Sequence, residues 1–395
     1  MDYSWRLFQR SWTFVLSPFG IDRFFTFLKG RRLTFGFWVK YSTDRVILPP
    51  SGGSVEERQL VYEPLEHRDS IRLLVLFKGE PMDPLRGELI QGRMNDHPEF
   101  RALSYCWGDT LTSSTIHLEQ GSVHVTKNGL LALQQLRSTE KNTIHWIDQI
   151  CINQFDLREK TNQIRHMQEI YRQAEMVNIW LGPSTPNSAL GIELFRDFAT
   201  HDLKSHTKSV WQLHSPTEVI VAIEDILSRS WFERIWVVQE VVAANKTTML
   251  CGQYHFSWIP SDIPQLRNFQ RAIKFAEISP EWEQLGLKVI DMRLFLDLLA
   301  LQLKEQRKKA GIEYRVPADL LDVMHELRYK KSSDRRDMIY ALMSLADTEI
   351  MPDYGRTVEE SFQSLKELMG LSDDTRNLCG PNPCFKLVFL LTLTS

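Results

Sequence analysis

Between residues 143 and 182 the chain sets two short apolar runs, "TIHWID" and "MVNIWLG", on either side of a segment with helical period. Leu157, Ile164, Met167, Tyr171 and Ala174 recur at helical spacing and form one apolar stripe, the mark of an amphipathic helix with a single buried face. Asp156 stands three residues before Glu159, a capping-box arrangement that would start this helix. A strand that feeds a helix and then a second strand closes most simply as a right-handed crossover within one sheet. This unit restricts the chain to alternating α/β layers.

Neighbouring segments extend the pattern. "SIRLLVLF" from residue 70 and "FRALSYCWGD" from residue 100 read as strands, and "TIHLEQGSVHVTKN" reads as a hairpin across Gly121. Asn128 is the expected cap of "GLLALQQLR", in which Leu130, Leu133 and Leu136 repeat at helical spacing. The stretches from Pro186 to 245 and from 260 to 345 read as mainly helical, with a strand pair in "TTMLCGQYHFSW" between them. The expectation is an α/β fold: a mostly parallel sheet flanked by helices, followed by a mostly helical C-terminal extension. Four parts follow: a basic aromatic arm and linker at 1–57, the α/β core at 58–258, the helical extension at 259–355, and a tail at 356–395.

Composition removes several function classes. With 395 residues, 43% of them apolar, and a formal net charge of −3, the chain can bury a large core and shows no basic footprint for nucleic acid. Cys and His have no close paired spacing suited to zinc, and no GxxxxGK[ST] or GxGxxG run exists to cradle phosphates. An odd count of 5 cysteines, mostly in apolar runs, fits buried thiols in a reducing compartment, so a cytoplasmic protein is expected. No run approaches the roughly 18 apolar residues of a membrane span, and "CFKLVFLLTLTS" at the C-terminus is too short for one. Residues 1–50 are the exception to this ordinary composition: rich in Trp and Phe, they carry eight Lys or Arg against three Asp. Such an arm either packs on the main domain or makes weak contact with an anionic membrane surface.

One further stretch asks for an explanation. "WFERIWVVQEVV", residues 231–242, sets Glu240 among valines. A carboxylate there is either a paired or solvent-facing helix residue or a group placed in an apolar cleft for chemistry.

Four segments together resemble the fungal heterokaryon incompatibility (HET) domain: "RALSYCWGD" at 101–109, the stretch from "WIDQICINQ" to "NIWLG" at 146–182, "WFERIWVVQE" at 231–240, and "SSDRRDMIYALMSLAD" with "PDY" at 352–354. The resemblance spans roughly residues 60–355. It implies a role in nonself recognition, in which fusion of incompatible hyphae triggers programmed cell death. HET domains also resemble TIR domains, flavodoxin-like α/β units whose enzymatic members cleave NAD with one glutamate on a helix, four residues after a Trp. Trp236 and Glu240 have that spacing here, so the resemblance implies Glu240 as the catalytic residue and a TIR-like core.

The chemistry is plausible for a lone carboxylate. Losing nicotinamide from NAD breaks the bond at the ribose anomeric carbon through an oxocarbenium-like transition state. Nicotinamide leaves as a neutral molecule from a cationic precursor, so no strong general acid is needed. Trp236 and Trp107 offer rings for stacking. Asp148 and Asn153 follow a buried strand, where ligands gather in open α/β sheets, although Asx side chains also hold turns. Gly108 would let backbone approach a ligand, Asp109 would bind a sugar hydroxyl, and Arg101 and Arg234 would meet phosphate. Cys106 and Cys151 are expected to be buried and inert despite histidines at 117, 145 and 166. The rival class is a noncatalytic module that assembles with copies of itself or with a signalling partner. No cofactor is expected in either case, since NAD would be substrate.

Overall fold

The computed structural model describes residues 58–368 apart from 110–112, 201–206, 313–319 and 347–349. The expected arm, its linker and the apolar C-terminal run lie outside the described residues. The described strands are β1 (Ser70–Leu76), β2 (Arg86–Arg93), β3 (Arg101–Tyr105), β4 (Ser113–Leu118), β5 (Gly121–Thr126), β6 (Thr143–Trp146), β7 (Met176–Trp180), β8 (Thr247–Cys251) and β9 (Tyr254–Trp258). They form one sheet in the order β5-β4-β2-β1-β6-β3-β7-β8-β9.

The sheet is mixed rather than mostly parallel. Strands β6, β3, β7 and β8 make a parallel block, but β1 runs antiparallel to both β6 and β2, and the β4–β5 and β8–β9 pairs are antiparallel as well. The cause is β2, which the sequence pattern does not announce because "RGELIQGR" carries two glycines and two end charges. Gly87 sits where an added Cβ would lie 2.5 Å from the Val75 carbonyl oxygen, so only glycine allows this close pairing with β1. With β1 paired on both edges and buried along its whole length, its apolar run is a central strand of a mixed sheet.

The first helices are α1 (Lys127–Leu136), α2 (Asp148–Cys151) and α3 (Leu157–Gln173). Thr126 caps α1 by accepting from the Gly129 N–H, which frees Asn128 for another task. Asn128 donates to the Cys106 carbonyl at 2.7 Å and accepts from the Trp180 indole at 2.9 Å, tying the loop after β3 to β7. Asp156 caps α3 through the N–H groups of Arg158 and Glu159. Glu159 does not complete the box. It forms a two-pronged ion pair with buried Arg72 of β1, at 2.5 and 2.9 Å, and accepts from the Asn153 N–H. A buried guanidinium left unpaired is far costlier than one unsatisfied cap, so the sheet takes the carboxylate. The α3 stripe is buried at Ile164, Met167, Tyr171 and Ala174, whereas Leu157 is exposed.

Next come α4 (Ser188–Thr200), α5 (Pro216–Leu227), α6 (Val237–Val242), α7 (Ile263–Ile278), α8 (Pro280–Gln284), α9 (Arg293–Lys309), α10 (Leu320–Glu326), α11 (Asp337–Tyr340) and α12 (Val358–Leu368). An aromatic cluster holds several of them to the sheet. Phe295 of α9 meets Phe195 of α4 at 4.9 Å, Phe269 of α7 at 5.3 Å and Trp258 of β9 at 6.0 Å between centroids. Such pairs contribute about 0.5–1.5 kcal/mol each beyond their burial. Among the described residues no helix is long and apolar enough to cross a membrane.

Candidate functional site

A cavity of about 720 Å³ opens where β3 and β6 end, within the size range of ligand sites. Three stretches far apart in sequence meet there. Trp107 follows β3, Asp148 follows β6, and Arg234, Trp236 and Glu240 lead into or lie on α6. Buried Trp231 and Phe232 anchor the last stretch. The carboxyl ends of adjacent parallel strands thus supply two of the walls, as the topology of α/β sheets favours.

A fourth segment closes the cavity. The Ile235 N–H donates to the Lys331 carbonyl at 2.9 Å and the Lys331 N–H to the Glu233 carbonyl at 2.5 Å, a short strand-like pairing. This stitch brings Ser332, Ser333, Asp334 and Asp337 to the cavity, with Tyr354 beside them. Lys160 faces it from α3, on the same helix face as Ile164 and Met167.

One tryptophan of the site, Trp107, is held by a carboxyl group. The Trp107 indole donates to Asp148 Oδ2 at 3.0 Å, while Asp148 Oδ1 accepts from the Gln149 N–H. Trp236 lines the cavity near the Asp337 side chain, which accepts from the Tyr354 hydroxyl at 2.7 Å. An indole fixed at its N–H edge leaves its ring face as a rigid wall.

Glu240 is 2% exposed and accepts a short hydrogen bond from Ser104, which in turn accepts from the Trp231 indole at 2.8 Å. Burial pushes its carboxyl up to about 7, against the Arg234 charge and the Ser104 hydrogen bond, which both pull it down. Burial likewise raises Asp148 and Asp337. Arg234 loses solvation there, yet Glu240, Cys106 and Asp148 hold its charge firmly in place. One of its nitrogens donates to the Tyr105 carbonyl.

Of the residues singled out in the sequence, Trp107, Gly108, Asp148, Arg234, Trp236 and Glu240 line the cavity. The other three lie apart from its lining. Asn153 holds its own turn, its side-chain oxygen accepting from the Phe155 N–H at 3.2 Å. Asp109 is exposed. Arg101 stands at the opposite end of β3, 3.6 Å from the Glu175 carboxylate. Lys160, Asp334, Asp337 and Tyr354 received no role from the sequence; the signal available was that the last three fall in "SSDRRD" and "PDY". Burial raises both thiols considered as nucleophiles, Cys151 to about 12, and holds His145 neutral with its value lowered to about 3. Neither thiol is activated.

Residues 100–240, which carry β6, β3 and β7 of the parallel block and reach Glu240 of the cavity, match the family model described as Heterokaryon incompatibility protein (HET). Over 307 residues the chain is 27% identical to Heterokaryon incompatibility protein 6, OR allele, of Neurospora crassa, covering 65% of this chain and 45% of that protein. The chain therefore spans less than half the length of this relative. No solved structure matches the chain.

Proposed function

We propose that this HET-domain protein acts in fungal nonself recognition and programmed cell death, and that it does so by cleaving NAD at the nicotinamide–ribose bond. The observation that carries the reading is the position of Glu240, a buried carboxyl on the wall of a cavity that also holds the fixed Trp107 indole and Trp236. A carboxyl pushed up to about 7 is half protonated near neutrality. A bound nicotinamide riboside group is cationic, and its charge favours the ionised form of Glu240. The carboxylate then faces the anomeric carbon as positive charge develops on the ribose, in a site where burial strengthens the interaction. Trp107 and Trp236 supply stacking faces for the nicotinamide ring. Asp148, already holding Trp107, keeps acceptor capacity for a ribose hydroxyl. The TIR-like spacing of Trp236 and Glu240 supports the same assignment. Incubating the purified chain with NAD and measuring free nicotinamide tests it: release supports cleavage, and none at any pH between 5 and 9 refutes it.

A second reading is a noncatalytic module that signals by assembly. Phe155, 95% exposed, and Leu157, 53% exposed, favour it, because they place apolar surface beside the loop of Ile152 and Gln154 that borders the cavity. Self-association without nicotinamide release would support this alternative.

A further inference from the structure

Lys160 is a cation of the cavity that the cleavage reading leaves unused. It is half-buried on α3, its Nζ stands 5.0 Å from the Tyr354 ring centroid, and it forms no ion pair among the described residues. Its charge is felt by Asp148, Asp334 and Asp337, which sit on two walls of the cavity. A half-buried ammonium normally takes a carboxylate partner, and here the nearest acids are otherwise engaged. Asp334 pairs with Arg336 at 2.6 Å, Asp337 accepts from Tyr354, and Asp148 accepts from Trp107. The second cation, Arg234, spends one nitrogen on the Tyr105 carbonyl and makes no ion pair within 4 Å among the described residues. Lys331 is different, because Glu233 neutralises it at 2.9 Å.

We infer that Lys160 and Arg234 together form an anion subsite of the cavity, and that it takes the diphosphate of a nucleotide ligand. The two cations come from different elements, α3 and the turn before α6, and open on the same cavity as Glu240. A fork of guanidinium donors beside a single ammonium suits a group with oxygens on two phosphorus atoms better than it suits one carboxylate. The Tyr354 ring holds the Lys160 ammonium without neutralising it, which keeps the charge available. The inference deepens the cleavage reading by naming the part of the dinucleotide that lies away from the reacting bond.

Direct binding of ADP, with adenosine as the uncharged control, separates this subsite from the chemistry. Calorimetry on the full chain should find ADP bound at least about tenfold more tightly than adenosine. Lys160→Met and, as a second variant, Lys160→Gln should weaken ADP by about 10- to 100-fold while leaving adenosine unaffected, and Lys160→Arg should restore most of the loss. Equal affinity for ADP and adenosine, no ADP binding, or ADP bound by a folded Lys160→Met as tightly as by the original chain would overturn the subsite. The outcomes of the two ideas stay distinct. If ADP binding depends on Lys160 while NAD is never cleaved, the subsite stands and the cleavage reading falls. If NAD is cleaved with the same KM by Lys160→Met, cleavage stands and the subsite falls.

Discussion

The Ser104 hydroxyl donates to Oε2 of Glu240 across a sequence gap of 136 residues, joining the third strand of the sheet to the helix after the WFER turn. Because the Ser104 Oγ also accepts from the Trp231 indole, the carboxyl is aimed by a short relay whose far end is a fully buried ring. The relay orients Glu240 and lowers its proton affinity without supplying a full counter-charge.

Ser104→Ala is therefore expected to act in two ways. It orphans the Trp231 indole, costing about 1–3 kcal/mol in urea denaturation. It also removes a hydrogen bond that pulls Glu240 down, so the acid limb of nicotinamide release should move to higher pH. An unmoved acid limb would show that the relay does not tune the carboxyl.

Glu240 should also leave a signature in stability against pH. Its value in the folded chain, about 7, lies above the ordinary 4.5, so the native state binds the proton more tightly than the unfolded chain. The stabilisation from that proton is complete below pH 4.5 and is lost as pH rises through 7. Its size is at most roughly 3 kcal/mol. Relative to Glu240→Gln, which does not titrate, the original chain should lose stability between pH 4.5 and pH 7.5. A constant difference across that range would contradict the raised value.

Asp337 is predicted to be a positioning residue for Tyr354, whose ring lies beside Lys160. Asp337→Leu removes the acceptor of the Tyr354 hydroxyl and should cost about 1–3 kcal/mol, whereas Asp337→Asn keeps an acceptor and should recover most of it. In nicotinamide release the Leu variant should raise KM more than it lowers kcat. Equal stability of the Leu and Asn variants would remove this role.

Gly108 has φ of 76°, and a Cβ there would meet only Asn128 Cβ at 3.7 Å, an ordinary contact. Gly108→Ala should therefore cost only the backbone strain, about 1–2 kcal/mol, read from chemical denaturation. A loss well beyond that would mean that the loop after β3 packs more tightly than its geometry indicates.

What was legible in the sequence was the part governed by local periodicity. The stripe Ile164, Met167 and Tyr171 fixes α3, and the runs around Trp146 and Val177 fix the parallel strands beside it. The same segments carry Trp107, Asp148 and Glu240 to one cavity, so three walls were readable from motif and strand-end reasoning. Long-range pairing decided the rest. The antiparallel return of β2 depends on the space at Gly87, and the fate of Glu159 depends on Arg72, 87 residues away. Lys160 reads as one more polar residue of an amphipathic helix until Tyr354 is brought beneath its ammonium. Asn128 carries a cap-like residue type, but Thr126 lies at the position that reaches the Gly129 N–H.

The most direct test of the account is nicotinamide release by Glu240→Gln beside the original chain at pH 7.5, with Tm measured on the same two preparations. The carboxylate role predicts a loss of at least about 100-fold in kcat with Tm unchanged or slightly raised, because the amide keeps the Ser104 acceptor and discards a buried charge. A folded Gln variant that releases nicotinamide at the original rate, or an original chain that releases none, would contradict it.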